Sequence, residues 1–170
     1  FSEAYEPEEL FALLVEIGYR GVEMVPPEHR GLARAAGLEV INHNCGQIEV
    51  GLNKPAHHDA LIPLHREGID ANAAEEIRDL IVFCGNRDGQ SDEEGLASTI
   101  EGFRQLAPYA EERGVVLMLE LFNQKDHPDY MGDYTSFGVE VCRAVNSPNM
   151  KLLYDVYHMA LQKQDLLGDV

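Results

Sequence analysis

The 170-residue chain has no tryptophan, only three cysteines, and thirteen basic residues against thirty acidic ones. It has no apolar run near the roughly 20 residues that span a bilayer, so it is read as a non-membrane protein. Cys45, Cys84 and Cys142 are odd in number and far apart. That excludes a disulfide framework and a zinc knuckle, and fits buried thiols in a reducing cytoplasm. The net charge of −17 and the lack of a Lys/Arg cluster argue against a nucleic-acid partner, since an acidic surface repels a phosphate backbone. No basic and then apolar leader follows Phe1, so no signal peptide is expected. A start without Met points to a fragment or a processed chain.

What is present alternates between strand-like and helix-like segments. Pro7 opens a helix whose apolar face is Leu10, Leu14 and Ile17, with Gly18 at its end. Strands are expected at 21–25, 38–44, 80–85, 115–121 and 151–155, with helices at 28–37, 70–80 and 136–145. Ser91 and Glu94 have capping-box spacing before a long helix stopped by Gly114, with Pro108 expected to kink it. Pro63 and Gly68 argue against one unbroken helix between Pro55 and Leu80. No linker interrupts the pattern, so residues 1–170 are read as one domain.

Such alternation with nearly continuous apolar strands predicts an α/β fold, a parallel sheet covered by helices. No Gly-x-Gly-x-x-Gly follows a strand, which weakens a dinucleotide-binding fold. Polar residues instead gather where strands end: Glu23, His43 and Asn44, Asn86 and Arg87, Glu120 and Asn123, Asp155 and His158. Functional groups at the carboxyl ends of several strands fit a (β/α)8 TIM barrel. The chain falls short of the roughly 250 residues usual for one, so about five to six of the eight strands are expected here.

Glu120 ends a strand covered on both faces, where a carboxylate needs a partner or a cation. Asp155 ends the next strand. Together they would repel, and a divalent ion such as magnesium or manganese would relieve both penalties. Spacing alone leaves a plainer alternative open, in which each acid caps a helix or pairs with a base. Asp155 in particular can cap a helix beginning near Tyr157.

The stretches "FCGNRDG" (83–89), "LELFN" (119–123) and "LLYDVYHM" (152–159) resemble the sugar isomerase/epimerase superfamily of xylose isomerase-like TIM barrels. Among its branches the hydroxypyruvate isomerase-like group is most similar, and the resemblance runs from about residue 7 to 159. It implies a divalent metal, Mn or Mg, held by Glu120 and Asp155, with Glu120 also moving a proton and His158 orienting the substrate. It further implies two more metal ligands, one of them a second acid/base, on strands beyond Val170. His43, Asn86, Arg87, Asn123 and His127 become candidate substrate contacts. A structural role for His43 and a surface salt bridge for Arg87 compete with that reading, while His127 is assigned to a lid loop over the site. His57, His58 and His65 have no partner acids nearby and are read as surface residues.

The resulting expectation is an intramolecular oxidoreductase that shifts a proton beside the carbonyl of a small hydroxy-carbonyl compound, through an enediolate. A keto-sugar 3-epimerase, a truncated chain that only binds a ligand or partner, and an abasic-site endonuclease are the rivals. The charge speaks against the last. A homo-oligomer is left open for a full-length form, and activity of these 170 residues alone is a separate question.

Overall fold

A computed structural model describes residues 4–163 and 167–168. Contacts divide the chain into two compact units, Phe1–His43 and Asn44–Val170. Among the described residues no helix is long and apolar enough to cross a membrane.

In the first unit, α1 (Pro7–Ile17) begins on proline. It ends at Gly18, whose left-handed φ of 105° turns its N–H back to the carbonyls of Leu14 and Val15. The strand β1 (Gly21–Val22), the helix α2 (Pro27–Ala35) and the strand β2 (Glu39–Val40) follow, with β1 and β2 paired in parallel. Both strands are shorter than the sequence suggests. Met24 adopts a φ of 52° and gives its N–H to Asn42 Oδ1 at 3.1 Å, while Asn42 Nδ2 donates to Glu23 Oε1 at 2.8 Å. These side-chain bonds replace ladder bonds and end the pairing. They also occupy the Glu23 carboxylate.

The strand β3 (Asn42–Asn44) carries the chain into the second unit, where the sheet order is β3-β4-β5-β6. There α3 (Pro55–Ala74), β4 (Asp79–Val82), α4 (Asp92–Arg113), β5 (Val116–Glu120), α5 (Thr135–Val145), β6 (Met150–Leu153) and α6 (Val156–Leu161) alternate as expected. β4 and β5 pair in parallel up to Val82 opposite Leu119, and β5 and β6 up to Glu120 opposite Leu153. Leu80, Val82, Leu117 and Leu119 are fully buried, under Phe103, Leu106 and Ala110 of α4. Parallel strands put their carboxyl ends together, and that register brings Glu120 beside the chain leading to Asp155.

Helix α4 starts on a complete Ser91–Glu94 capping box and stops at Gly114, as the sequence predicts. Helix α3 differs: it runs unbroken through Pro63. Pro63 and Asp59, whose carbonyl loses its partner, both face solvent, so water can satisfy that group. Gly68 is a packing notch and not a breaker, since a Cβ there would stand 2.7 Å from Cys45 Sγ. The histidine expectation also needs correcting. His58 and His65 are buried, because α3 packs against α4 and β4. His58 Nε2 lies 2.9 Å from the Leu52 carbonyl, and His65 Nδ1 lies 2.7 Å from that of Leu61. His57 is half-buried, with Nδ1 3.1 Å from the Gly51 carbonyl. All three cysteines are free, with Cys45 and Cys84 buried; burial pushes the Cys84 thiol up to about 12.

Candidate functional site

The carboxyl end of the second unit's sheet gathers the chemistry. Glu120 is the last residue of β5 and is half-buried. Asp155 follows β6 as the N-cap of α6, its Oδ1 accepting from the N–H groups of Tyr157 at 2.7 Å and His158 at 3.4 Å. The capping role foreseen for Asp155 is therefore present. It uses one oxygen. The other, Oδ2, lies 4.0 Å from His158 Nε2. One ligand atom from each of Glu120, Asp155 and His158 lies within 4.8 Å of the other two. Two half-buried carboxylates with an imidazole at this spacing suit a divalent cation: the oxygens are hard donors and their mutual repulsion is relieved by it.

His158 is buried, and burial holds it below its ordinary value despite the opposing pull of Asp155. Its Nδ1 lies 2.6 Å from Asn123 Nδ2 and 3.3 Å from the Asn123 backbone nitrogen. Asn123 is fully buried, and its amide also spans Asp126: Oδ1 accepts from the Asp126 N–H at 2.9 Å, and Nδ2 donates to Asp126 Oδ2 at 3.1 Å. Tyr157 donates to the same Asp126 oxygen at 2.8 Å. The bonds from Asn123 and Tyr157 hold Asp126 below the usual carboxylate range. The 123–130 loop is thereby tied to α6.

Phe122 forms the apolar floor. Its ring centroid lies 4.4 Å from that of His127, 4.6 Å from His158 and 4.9 Å from Tyr130. His127 joins Asn86 in lining a small cleft of about 130 Å³ with Glu49, Asp126 and Asp129. Two of the candidate contacts thus share one wall, and the His127 ring centroid lies 5.8 Å from that of His158. His43 belongs to the first unit, half-buried on β3.

Arg87 has a different position from the one its loop suggests. Its guanidinium donates to Asp92 at 2.7 Å, Asp133 at 2.9 Å, and the carbonyls of Tyr130 at 2.5 Å and Met131 at 3.4 Å. Asp133 is fully buried and also accepts from Gln124. Arg87 therefore braces the loop after β4 against the loop after β5. Removing it in Arg87→Ala leaves a buried carboxylate without its cation, so a loss of about 3 kcal/mol is expected in urea unfolding. A loss below about 0.5 kcal/mol would mean that the pair contributes as little as an exposed one.

Sequence reading missed Asp133 and Tyr130. Tyr130 is fully buried; its hydroxyl accepts from the Cys84 N–H at 3.1 Å and donates to the Glu120 carbonyl at 2.9 Å. The only hint was an acid and a tyrosine in a polar loop, and neither is tied by spacing to a strand.

Residues 11–169 match the family described as xylose isomerase-like TIM barrel. Over 70 residues the chain is 29% identical to the 2-oxo-tetronate isomerase of Cupriavidus necator, a stretch covering 41% of this chain and 27% of that protein. The family 2 AP endonuclease of Brucella melitensis superposes with a TM-score of 0.80 at 20% identity, over 98% of this chain and 69% of that one. The D-psicose 3-epimerase of Clostridium cellulolyticum H10, solved with D-tagatose, gives 0.76 at 16% identity, over 97% and 63%. Both structural likenesses concern the fold alone.

Proposed function

The chain belongs to the xylose isomerase-like TIM barrel family, and on that premise we propose that it serves a metal-dependent isomerase acting on a small hydroxy-carbonyl compound. The observation that supports this reading is the convergence of Glu120, Asp155 and His158. The Cupriavidus relative, named an isomerase of a 2-oxo-tetronate, is consistent with it. Glu120 and Asp155 would hold a divalent ion, which would supply Lewis acidity toward the substrate's oxygens. The Glu120 carboxylate takes the proton from the carbon beside the carbonyl, the electron pair left behind moves into the enediolate, and return of a proton to the neighbouring carbon completes the isomerisation. His158 gives a hydrogen bond to the oxygen that gains charge, an interaction worth a few kcal/mol when held in place beforehand. Phe122 keeps water from one side, while Asn86 and His127 line the approach.

Hydroxypyruvate-like acids lead the substrate class, and the inversion of a keto-sugar carbon uses the same first step. A nucleic-acid substrate is disfavoured by the charge of −17. The test is deuterium exchange in heavy water with Mn²⁺ or Mg²⁺ and a panel of hydroxypyruvate, four-carbon 2-oxo acids and ketohexoses. Metal-dependent deuterium uptake beside a carbonyl, abolished by EDTA, is expected. Metal binding without exchange in any member of the panel would leave a binding module in place of an isomerase.

A further inference from the structure

We propose that Asn123 is a positioning residue that fixes His158 as the tautomer protonated on Nε2, so that the imidazole meets the acid pair as a hydrogen-bond donor and is closed to the metal as a ligand. The proposal rests on the isomerase reading for its purpose, though the tautomer can be measured without any turnover.

The argument starts from the backbone. The Asn123 N–H points at His158 Nδ1 from 3.3 Å, and a backbone amide can only donate. The side-chain nitrogen of the same residue lies 2.6 Å from that atom. Two partners fix the orientation of this amide. Its oxygen accepts from the Asp126 N–H at 2.9 Å, and its nitrogen faces the Asp126 carboxylate oxygen at 3.1 Å. Turning the amide over would set N–H against N–H on one side and oxygen against carboxylate on the other. Two donors therefore converge on Nδ1, which must offer its lone pair.

A neutral imidazole with an accepting Nδ1 carries its proton on Nε2. That nitrogen lies 4.0 Å from Asp155 Oδ2, on the side of the acid pair. The proximity of His158 to Glu120 and Asp155 would by itself admit three ligands. With Nε2 protonated, it leaves two oxygen donors and one N–H. Asn123 cannot also serve the substrate, for it is fully buried and its amide is engaged on both sides. Its place three residues after Glu120 puts the acid and the group that orients the imidazole on one strand end.

The test is long-range nitrogen–proton correlation spectroscopy on the chain labelled with ¹⁵N-histidine, with His158 assigned by its loss in His158→Gln. At neutral pH the Nε2–H form should exceed the other tautomer by about tenfold or more, the cost of one misdirected buried hydrogen bond. It should persist when Mg²⁺ is added. In Asn123→Asp, an oxygen replaces the donating nitrogen and a proton should appear on Nδ1. Asn123→Ala, which keeps the backbone donor, should reduce the excess about tenfold. A proton on Nδ1 in the unaltered chain, loss of the Nε2 proton on adding Mg²⁺, or an unchanged tautomer ratio in both variants would each overturn the proposal. If the Asp variant does not fold, the Ala variant decides. Failure of the exchange assay with this tautomer intact would overturn the isomerase reading alone.

Discussion

Asp155→Asn and Glu120→Gln are each expected to lower the metal-dependent exchange rate by about a thousandfold or more, in line with the removal of a group that acts directly on the transition state. Each substitution is nearly isosteric and removes one negative charge from the cluster. Asp155 gives the sharper test because its two oxygens have separate duties. Oδ1 caps α6 through Tyr157 and His158, while Oδ2 is directed toward His158 Nε2. Asparagine is as good a cap as aspartate, so Asp155→Asn should keep α6 and hold stability within about 0.5 kcal/mol. It should lose Mn²⁺ binding in calorimetric titration. Retained Mn²⁺ affinity in a folded Asp155→Asn protein would reduce this residue to a helix cap.

Gly51→Ala is expected to have the largest effect on stability. A Cβ at Gly51 would stand 2.1 Å from both the carbonyl carbon and oxygen of Cys84, and 2.4 Å from Gly85 N. All three are backbone atoms, so no side chain can swing away. Gly85, opposite, has a φ of 102° and Gly51 N only 2.5 Å from its own added Cβ. The two glycines let the segment before α3 pass against the end of β4, where the Asn53 N–H donates to the Cys84 carbonyl at 2.9 Å. Opening that contact should lose about 3 kcal/mol or more in urea unfolding. Gly31→Ala is the control: Gly31 lies within α2 with nothing within 4 Å, so a gain of up to about 1 kcal/mol is expected. A Gly51→Ala protein as stable as the control would show that the two segments separate freely.

What the sequence revealed was local. The Ser91–Glu94 box, the glycine stops at Gly18 and Gly114, and the helix after Asp155 each depend on groups within four residues, so spacing is enough to read them. Glu120 and Asp155 were legible because parallel strands deliver their ends to one place. The errors came from distance. Pro63 and Gly68 look like helix breakers until α3 is seen to turn the proline to solvent and fit the glycine against Cys45. His58 and His65 look like surface residues until His58 is seen against Ser98 and Gly102 of α4 and His65 against Gly46. The Arg87–Asp133 pair joins residues 46 apart, and the Tyr130 contacts with Cys84 span the same distance. No periodicity carries such information.

The Tyr130 hydroxyl has a geometric consequence. The last paired rung of β4 and β5 is Val82 with Leu119, and the phenol sits just past it, linking Cys84 to Glu120. Beyond that rung, where the ladder has ended, a rigid ring acts as the spacer that sets how widely the two strands part. The separation of Cys84 from Glu120 is thus gauged by the length of one side chain, and a shift of its loop would be passed straight to the main chain at Glu120.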